Sequence, residues 1–542
     1  MLKNMKRWQN VNALYQIYPR SFYDASGDGV GDLNGITAKL EYLKGGVNSV
    51  GVDAIWISPF YPSPMVDFGY DIANYCDVDP IFGTLDDFRN LLSEAHRHDI
   101  KVMVDFVPNH TSDKHEWFIN SKTAKNSSKR DYYVWRDAKA DGSVPNNWLS
   151  TFGGSAWQWD QNTQQYYLHS FLKEQPDLNW DNPDVRAAMA DVLRFWLDIG
   201  VDGFRVDVAR YISKDTEYRN DSINMAYGNI AEAQDPYHGL LHNHSQYGPR
   251  LFDFLHELTQ VVDKYDDRIM VFEDYPEENR SIAEQYRAFY DVHPGVGMPF
   301  NFQGINCQWD ADAFGSFINN FQELLHTGER PLYCFGNHDQ PRIVSRFGSK
   351  QARLLALLQL TLPGLPVIYN GEELGMENGD ITSNEMKDPA EKYTPGIGMG
   401  RDPQRTPMQW SAKENAGFSQ TKPWLPIGTR YRTLNVENES SNDDSFLTLY
   451  RKLLSLRRDD VTLREGDFQL SSKTASQVLT YRRQSSEGIY IVVLNFSADV
   501  KEVDIGSTGE FVMSTHSAFA SDISNAHLAL KPYEGVLLRV SL

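Results

Sequence analysis

The sequence predicts an α/β protein: a parallel (β/α)8 TIM barrel, with a small domain inserted after the third strand and an all-β sandwich at the C-terminus. Three observations predict it. Short apolar runs alternate with helical patterns until eight strands are counted, the rhythm of a closed parallel barrel. A long polar and aromatic stretch interrupts that rhythm once, and a stretch this long in a compact domain forms a unit of its own. The chain then closes on alternating strand patterns.

The candidate strands are Leu14–Tyr18, Val52–Ile57, Val102–Phe106, Gly203–Val206, Ile269–Phe272, Val296–Phe300, Leu332–Phe335 and Pro366–Tyr369. The sixth is the weakest, because glycine and proline disfavour a strand interior. Helical periodicity appears between them at Leu85–His96, Val185–Ile199 and Gln351–Leu360. The barrel is assigned to residues 1–109 and 181–460. The insertion, 110–180, carries Trp135, Trp148, Trp157, Trp159 and Trp180 among many Asn, Ser and Gly. The Gly- and Pro-rich stretch Gly371 to Pro426 is expected to wall the barrel mouth. After a helix at Phe446–Arg457, the runs Gln477–Arg483 and Ile489–Phe496 assign 461–542 to the sandwich.

A formal net charge of −21 argues against nucleic acid or an anionic membrane as partner. No apolar run approaches the ~20 residues of a membrane-spanning helix. Met1 to Asn10 are polar and basic, which gives no secretory pattern and points to a cytoplasmic protein. Cys76, Cys307 and Cys334 are odd in number and lack CxxC spacing, so neither a disulfide frame nor a thiolate metal site is expected.

Four strands end in chemistry. Gly203-Phe204-Arg205-Val206-Asp207 closes on Asp207, and Arg205, two residues back, points to the same side. A guanidinium there favours the ionised carboxylate, which suits a nucleophile. Ile269–Phe272 runs into Glu273, Leu332–Phe335 into Asn337-His338-Asp339, and Val102–Val104 into Asp105 with Asn109-His110 beyond. One acid at a strand end commonly caps the next helix. Acids at four strand ends, two with a histidine attached, describe an active site at the carboxyl face of a barrel. The histidines lack metal-ligand spacing, so zinc is not implied.

These stretches resemble glycoside hydrolase family 13, the alpha-amylase family. Asp105-Phe106-Val107-Pro108-Asn109-His110, Gly203 to Asp207, Glu273 and Asn337-His338-Asp339 occur in the family's order. Tyr15 to Phe22, Gly69-Tyr70-Asp71, Gly336 to Phe347 and Arg405 to Trp410 narrow the likeness to the alpha-glucosidase and oligo-1,6-glucosidase branch. It covers nearly the whole chain and is weakest beyond residue 460. The resemblance implies that Asp207 is the nucleophile, Glu273 the acid/base and Asp339 the third carboxylate, holding ring hydroxyls. It implies that His110 and His338 donate to the sugar, that Arg205 belongs to the site, and that Tyr70 stacks on the sugar face. Asp71 and Arg405 are expected to clamp the non-reducing end, and Val208 to bear on linkage choice.

The implied activity is an exo-acting, retaining alpha-glucosidase that removes terminal glucose from short oligosaccharides, alpha-1,4 with some alpha-1,6. Such a mechanism needs no cofactor, only two carboxyl groups ~5–5.5 Å apart. An oligo-1,6-glucosidase, and a transglycosylase or sugar isomerase on the same site, are the alternatives. A non-catalytic amylase-like subunit is disfavoured by the three carboxylates. A monomer or homodimer is expected.

One further motif precedes the barrel sites. Asp24-Ala25-Ser26-Gly27-Asp28-Gly29-Val30-Gly31-Asp32 puts oxygen side chains at alternate positions, with the Val30 carbonyl between the last two. This is the front of a calcium loop, although Gly35 stands where an EF-hand places its glutamate. A structural Ca2+ or Mg2+ held by Asp24, Ser26, Asp28, Val30 and Asp32 is expected, and similar loops of the resembled family hold one.

Overall fold

A computed structural model describes residues 8–227, 236–275, 277, 280–393, 400–471, 475–506, 509–516 and 526–540. Eight parallel strands form the barrel: Leu14–Ile17, Ala54–Ile57, Lys101–Phe106, Gly203–Val206, Ile269–Phe272, Gly297–Asn301, Leu332–Tyr333 and Val367–Tyr369. Each pairs with its neighbour in sequence, and the first pairs with the last at Leu14 and Val367. A parallel bridge between Cys334 and Val367 closes the ring. The strands are short and buried on both faces, as helix-covered parallel strands are.

The sixth strand is present despite its weak pattern. A Cβ at Gly297 would stand 2.7 Å from the Phe272 ring, so this glycine lets two strands approach. Helices enter and leave on local signals. Thr84 and Asp87 form a capping box on Leu85–Arg97. Asn182 caps Pro183–Ile199, which Gly200 ends in the left-handed conformation (φ 116°), aiming the chain straight into the strand before Asp207.

The insertion folds on a three-stranded sheet of Trp135–Arg136, Gln165–Leu168 and Trp157–Asp160. Bridges from His110 to Asp177 and from Tyr133 to Leu178 hold it to the barrel mouth. The C-terminal unit has a five-stranded antiparallel sheet facing a two-stranded one, Lys501–Asp504 with His527–Leu530. Ile491, Val493, Leu528, Leu530, Val536 and Leu538 fill the space between them. Arg457 and Arg483, fully buried, donate across the boundary to the Leu463 carbonyl (2.9 Å) and the Thr361 carbonyl, seaming this unit to the barrel. The cysteines are free thiols. Among the described residues, no helix is long and apolar enough to cross a membrane.

Candidate active site

The strand ends deliver three carboxylates to one cavity of about 480 Å3, walled by the barrel mouth and by Phe152 and Phe171 of the insertion. Asp207 follows its strand directly, its N–H held by the Phe106 carbonyl at 2.8 Å. The next residue, Val208, is in the left-handed region (φ 38°, ψ 48°), a conformation that costs a β-branched side chain ~1–3 kcal/mol. What that strain holds is visible: the Val208 N–H donates to Glu273 Oε2 at 2.9 Å. The turn therefore fixes nucleophile and acid/base candidates against each other through backbone.

Arg205 lies beneath both, 1% exposed. Its Nη1 donates to Asp105 Oδ1 (2.5 Å) and Asp207 Oδ1 (2.7 Å), and its Nη2 stands 2.7 Å from Glu273 Oε2. Burial pushes the Asp105 carboxyl up to about 6 against the pull of Arg205. Burial likewise raises Asp207 well above the ordinary carboxylate range, with Arg205 opposing and Glu273, Asp105 and Asp339 reinforcing the rise. This corrects the expectation that Arg205 alone settles the ionised form. Several acids crowd one guanidinium, so their titrations are coupled and belong to the cluster rather than to one carboxyl, an arrangement suited to one group donating while another attacks.

Asp339 behaves oppositely. Against the cost of burial, His338 and the Arg405 and Arg401 guanidiniums hold it below the ordinary range. His338 is fully buried behind Tyr70, their rings stacked at 5.6 Å and 10°. Gln16 Nε2 stands 2.7 Å from His338 Nδ1, which leaves the ring hydrogen on Nε2, between Tyr70 OH (2.6 Å) and Asp339 Oδ2 (3.3 Å). Tyr70 and His110 line the cavity, with burial pushing His110 down to about 4 so that it stays neutral.

Asp71 and Arg405 do not form the clamp expected of them. Asp71 is fully buried and spends its carboxylate on Ser63 Oγ, the Val66 N–H and the Asp67 N–H, each at 2.9 Å. Arg405 is fully buried and donates to the His338 carbonyl (2.9 Å) and Asp339 Oδ1 (2.6 Å). Both brace the residues that face the cavity. The pair that lines the cavity is instead Asp67 and Arg401, 2.7 Å apart. Arg401 Nη1 also lies 3.4 Å from Asp339, and Asp388 grips the other edge of the guanidinium at 2.8 and 2.9 Å. The sequence reading missed this pair, although each stands four residues before a residue it named, Asp71 and Arg405.

The loop Asp24 to Asp32 keeps its carboxylates close to its own backbone. Asp24 accepts from Gly27 and Gly29 N–H groups and from Ser419 Oγ, and Asp32 from Ala25, Ser26 and Gly35 N–H groups. Among the described residues, no three His, Cys, Asp or Glu side chains are arranged to hold a metal ion. The donors there, the Asp24, Ser26, Asp28 and Asp32 side chains and the Val30 carbonyl, are all oxygen, the type a hard cation takes.

A barrel with three convergent carboxylates over a buried guanidinium, and an Asp–Arg ion pair in the same cavity wall, defines a glycoside-cleaving enzyme. Residues 16–466 match the alpha-amylase catalytic domain, and the chain belongs to the alpha-amylase family. It is 37% identical to an oligo-1,6-glucosidase of Bacillus cereus, over 99% of this chain and 100% of that one. It is 39% identical to an alpha-glucosidase of Apis mellifera, over 91% of this chain and 86% of that one. An alpha-glucosyl transfer enzyme of known structure superposes with a TM-score of 0.90 at 37% identity, covering 98% of this chain and 99% of that chain.

Proposed function

We propose that this glycoside hydrolase is an exo-acting, retaining alpha-glucosidase that releases single glucose units from the non-reducing ends of short alpha-1,4-linked oligosaccharides, with some alpha-1,6 cleavage. The observation that carries the reading is the Asp67–Arg401 ion pair in the cavity wall. The pair stands beside Asp339, and on this reading it stops the bound chain one sugar beyond the carboxylates. A cleft open at both ends would bind the middle of a chain. Early products from maltoheptaose test it: glucose and maltohexaose first support the reading, and internal fragments before glucose refute it.

Asp207 attacks the anomeric carbon while Glu273 protonates the leaving oxygen; the glycosyl–enzyme ester is then hydrolysed by water that Glu273 deprotonates. One guanidinium reaching both carboxyl groups favours the close spacing of ~5–5.5 Å over the ~6.5–9.5 Å that leaves room for a water between them. Asp339, held ionised by its arginines, accepts from ring hydroxyls and strengthens that grip as positive charge builds on the ring.

Transfer to a sugar acceptor is the second reading, favoured by the likeness to the alpha-glucosyl transfer enzyme. It differs only in what attacks the ester. The enzyme is taken to act in the cytoplasm as a monomer or homodimer. The Asp24–Asp32 loop is taken to hold a structural Ca2+ or Mg2+, a reading that a melting temperature unmoved by either cation or by chelator would remove.

A further inference from the structure

Asp274 follows the acid/base candidate directly, and its side chain faces away from the cavity into a buried network. It is 2% exposed; its Oδ2 accepts from Tyr247 OH at 2.5 Å, while Oδ1 has no hydrogen-bond partner among the described residues. Tyr247 is tied to the other half of the site, because its N–H donates to the Arg210 carbonyl at 3.0 Å. Arg210 lies in the turn Ala209–Ile212, immediately after Asp207 and Val208. Its side chain returns across the gap, Nη1 donating to the Tyr275 carbonyl at 2.7 Å. The segments bearing Asp207 and Glu273 are thus cross-tied twice behind the cavity, and Asp274 anchors one of the ties.

We propose that Asp274 is a positioning residue for Glu273: through Tyr247 and Arg210, it holds the acid/base carboxyl in register with Asp207. This rests on the reading of Glu273 as the acid/base. The groups facing Asp274 are Arg210 on the nucleophile turn, Tyr247, Glu273 and Glu277 on its own segment, and Tyr286 on the helix Ile282–Asp291; Arg280 lies over the Tyr247 ring at 4.2 Å. Among the described residues, the cation paired with the carboxyl is Arg210, 3.8 Å from Oδ1, and it is shared with Glu277 at 3.4 Å. Burial pushes Asp274 up to about 7, so it is protonated on the acid side of neutrality. Ionisation on the alkaline side leaves a buried carboxylate competing with the Tyr275 carbonyl for Arg210.

The test compares Asp274→Asn and Asp274→Ala with the wild type on two donors, maltose and alpha-glucosyl fluoride. Fluoride leaves without a proton, so a displaced acid costs maltose cleavage and spares fluoride cleavage; kcat/KM reads this bond-breaking step. We expect Asp274→Ala to lose about tenfold or more on maltose at pH 6 and under about threefold on the fluoride. Asp274→Asn, which keeps the acceptor for Tyr247, should match the wild type at pH 6 and hold its rate to higher pH, where the wild type declines. Tyr247→Phe should reproduce the alanine variant's selectivity. Equal losses on both donors, a lower melting temperature with unchanged kcat/KM, or coincident pH profiles for Asp274→Asn and wild type overturn the proposal. An inactive wild type would instead refute the reading of the site itself.

Discussion

Asp67 and Arg401 form a 2.7 Å ion pair in the wall of the cavity although 334 residues separate them in the chain. Each is positioned by an acid that never faces the cavity, Asp67 by the loop that Asp71 ties and Arg401 by Asp388. Losing Arg401 leaves Asp67 buried without its cation, which costs ~2–5 kcal/mol. Losing Asp67 leaves Arg401 on Asp388 and Asp339 but removes the acid that aims it at the cavity. Asp67→Ala and Arg401→Ala should each lower kcat/KM on maltose about 30-fold or more. The double variant should lose little beyond either single one, since both remove the same pair. Additive losses would show that the two act separately.

Val208 lies on the cavity wall beside the nucleophile with its backbone already in the left-handed region. Threonine shares its β-branching and volume, so Val208→Thr keeps the turn and changes only what the second sugar meets. The alpha-1,6 to alpha-1,4 rate ratio should fall, by an amount within the ~1–3 kcal/mol one contact supplies. Initial rates on isomaltose and maltose decide it, and an unchanged ratio removes Val208 from linkage choice.

Asp207→Asn keeps the shape of the side chain and its place beside Arg205, but an amide cannot form the glycosyl ester. Turnover should fall by about 10³ or more while the melting curve stays close to that of the wild type. A folded variant retaining more than about a tenth of the rate, a barrier change under ~1.4 kcal/mol, would show the nucleophile to be misassigned.

The eight strands, Asp207 and Glu273 were legible because each of these acids is the next step of a short apolar run, and a rigid strand fixes where that step lands. Asp339, in the loop beyond Tyr333, was legible only through its Asn-His-Asp motif. Asp71 and Arg405 were assigned the wrong task for the complementary reason. Both stand in loops, where the residue facing the cavity depends on which neighbour the backbone has already claimed. Asp71 is claimed by the Val66 and Asp67 N–H groups, and Asp67 is left free to turn inward. The left-handed Val208 was equally unreadable, since β-branched residues avoid that region and only the bond to Glu273 explains it. Gly297 weakened the sixth strand in sequence, yet it is the residue that lets Phe272 pack against that strand.

His115 offers a pH test of the insertion. Its Nδ1 accepts the Trp117 N–H at 3.1 Å, capping Glu116–Ser121, and burial pushes the ring down to about 4. An unfolded histidine titrates near ~6.5, so between those values the unfolded chain binds the proton first and stability falls as the pH falls. The contribution is complete above pH ~6.5 and is lost toward about 4, on the order of 3 kcal/mol at most. Asparagine also caps helices but does not titrate there. The stability of the wild type relative to His115→Asn should therefore decline from pH 7 to 4.5, as read from denaturant midpoints. Parallel curves would contradict it.

The central claim is that Asp207 and Glu273 work as a nucleophile and acid/base pair about one covalent intermediate, and stereochemistry tests it most directly. Proton NMR of maltose hydrolysis in D2O, recorded before mutarotation, shows which anomer leaves the enzyme first. Two displacements at one carbon return the starting configuration, so alpha-glucose should appear first and beta-glucose only at the mutarotation rate. Beta-glucose as the initial product would mean that water attacks directly, and the account of Asp207 would be wrong.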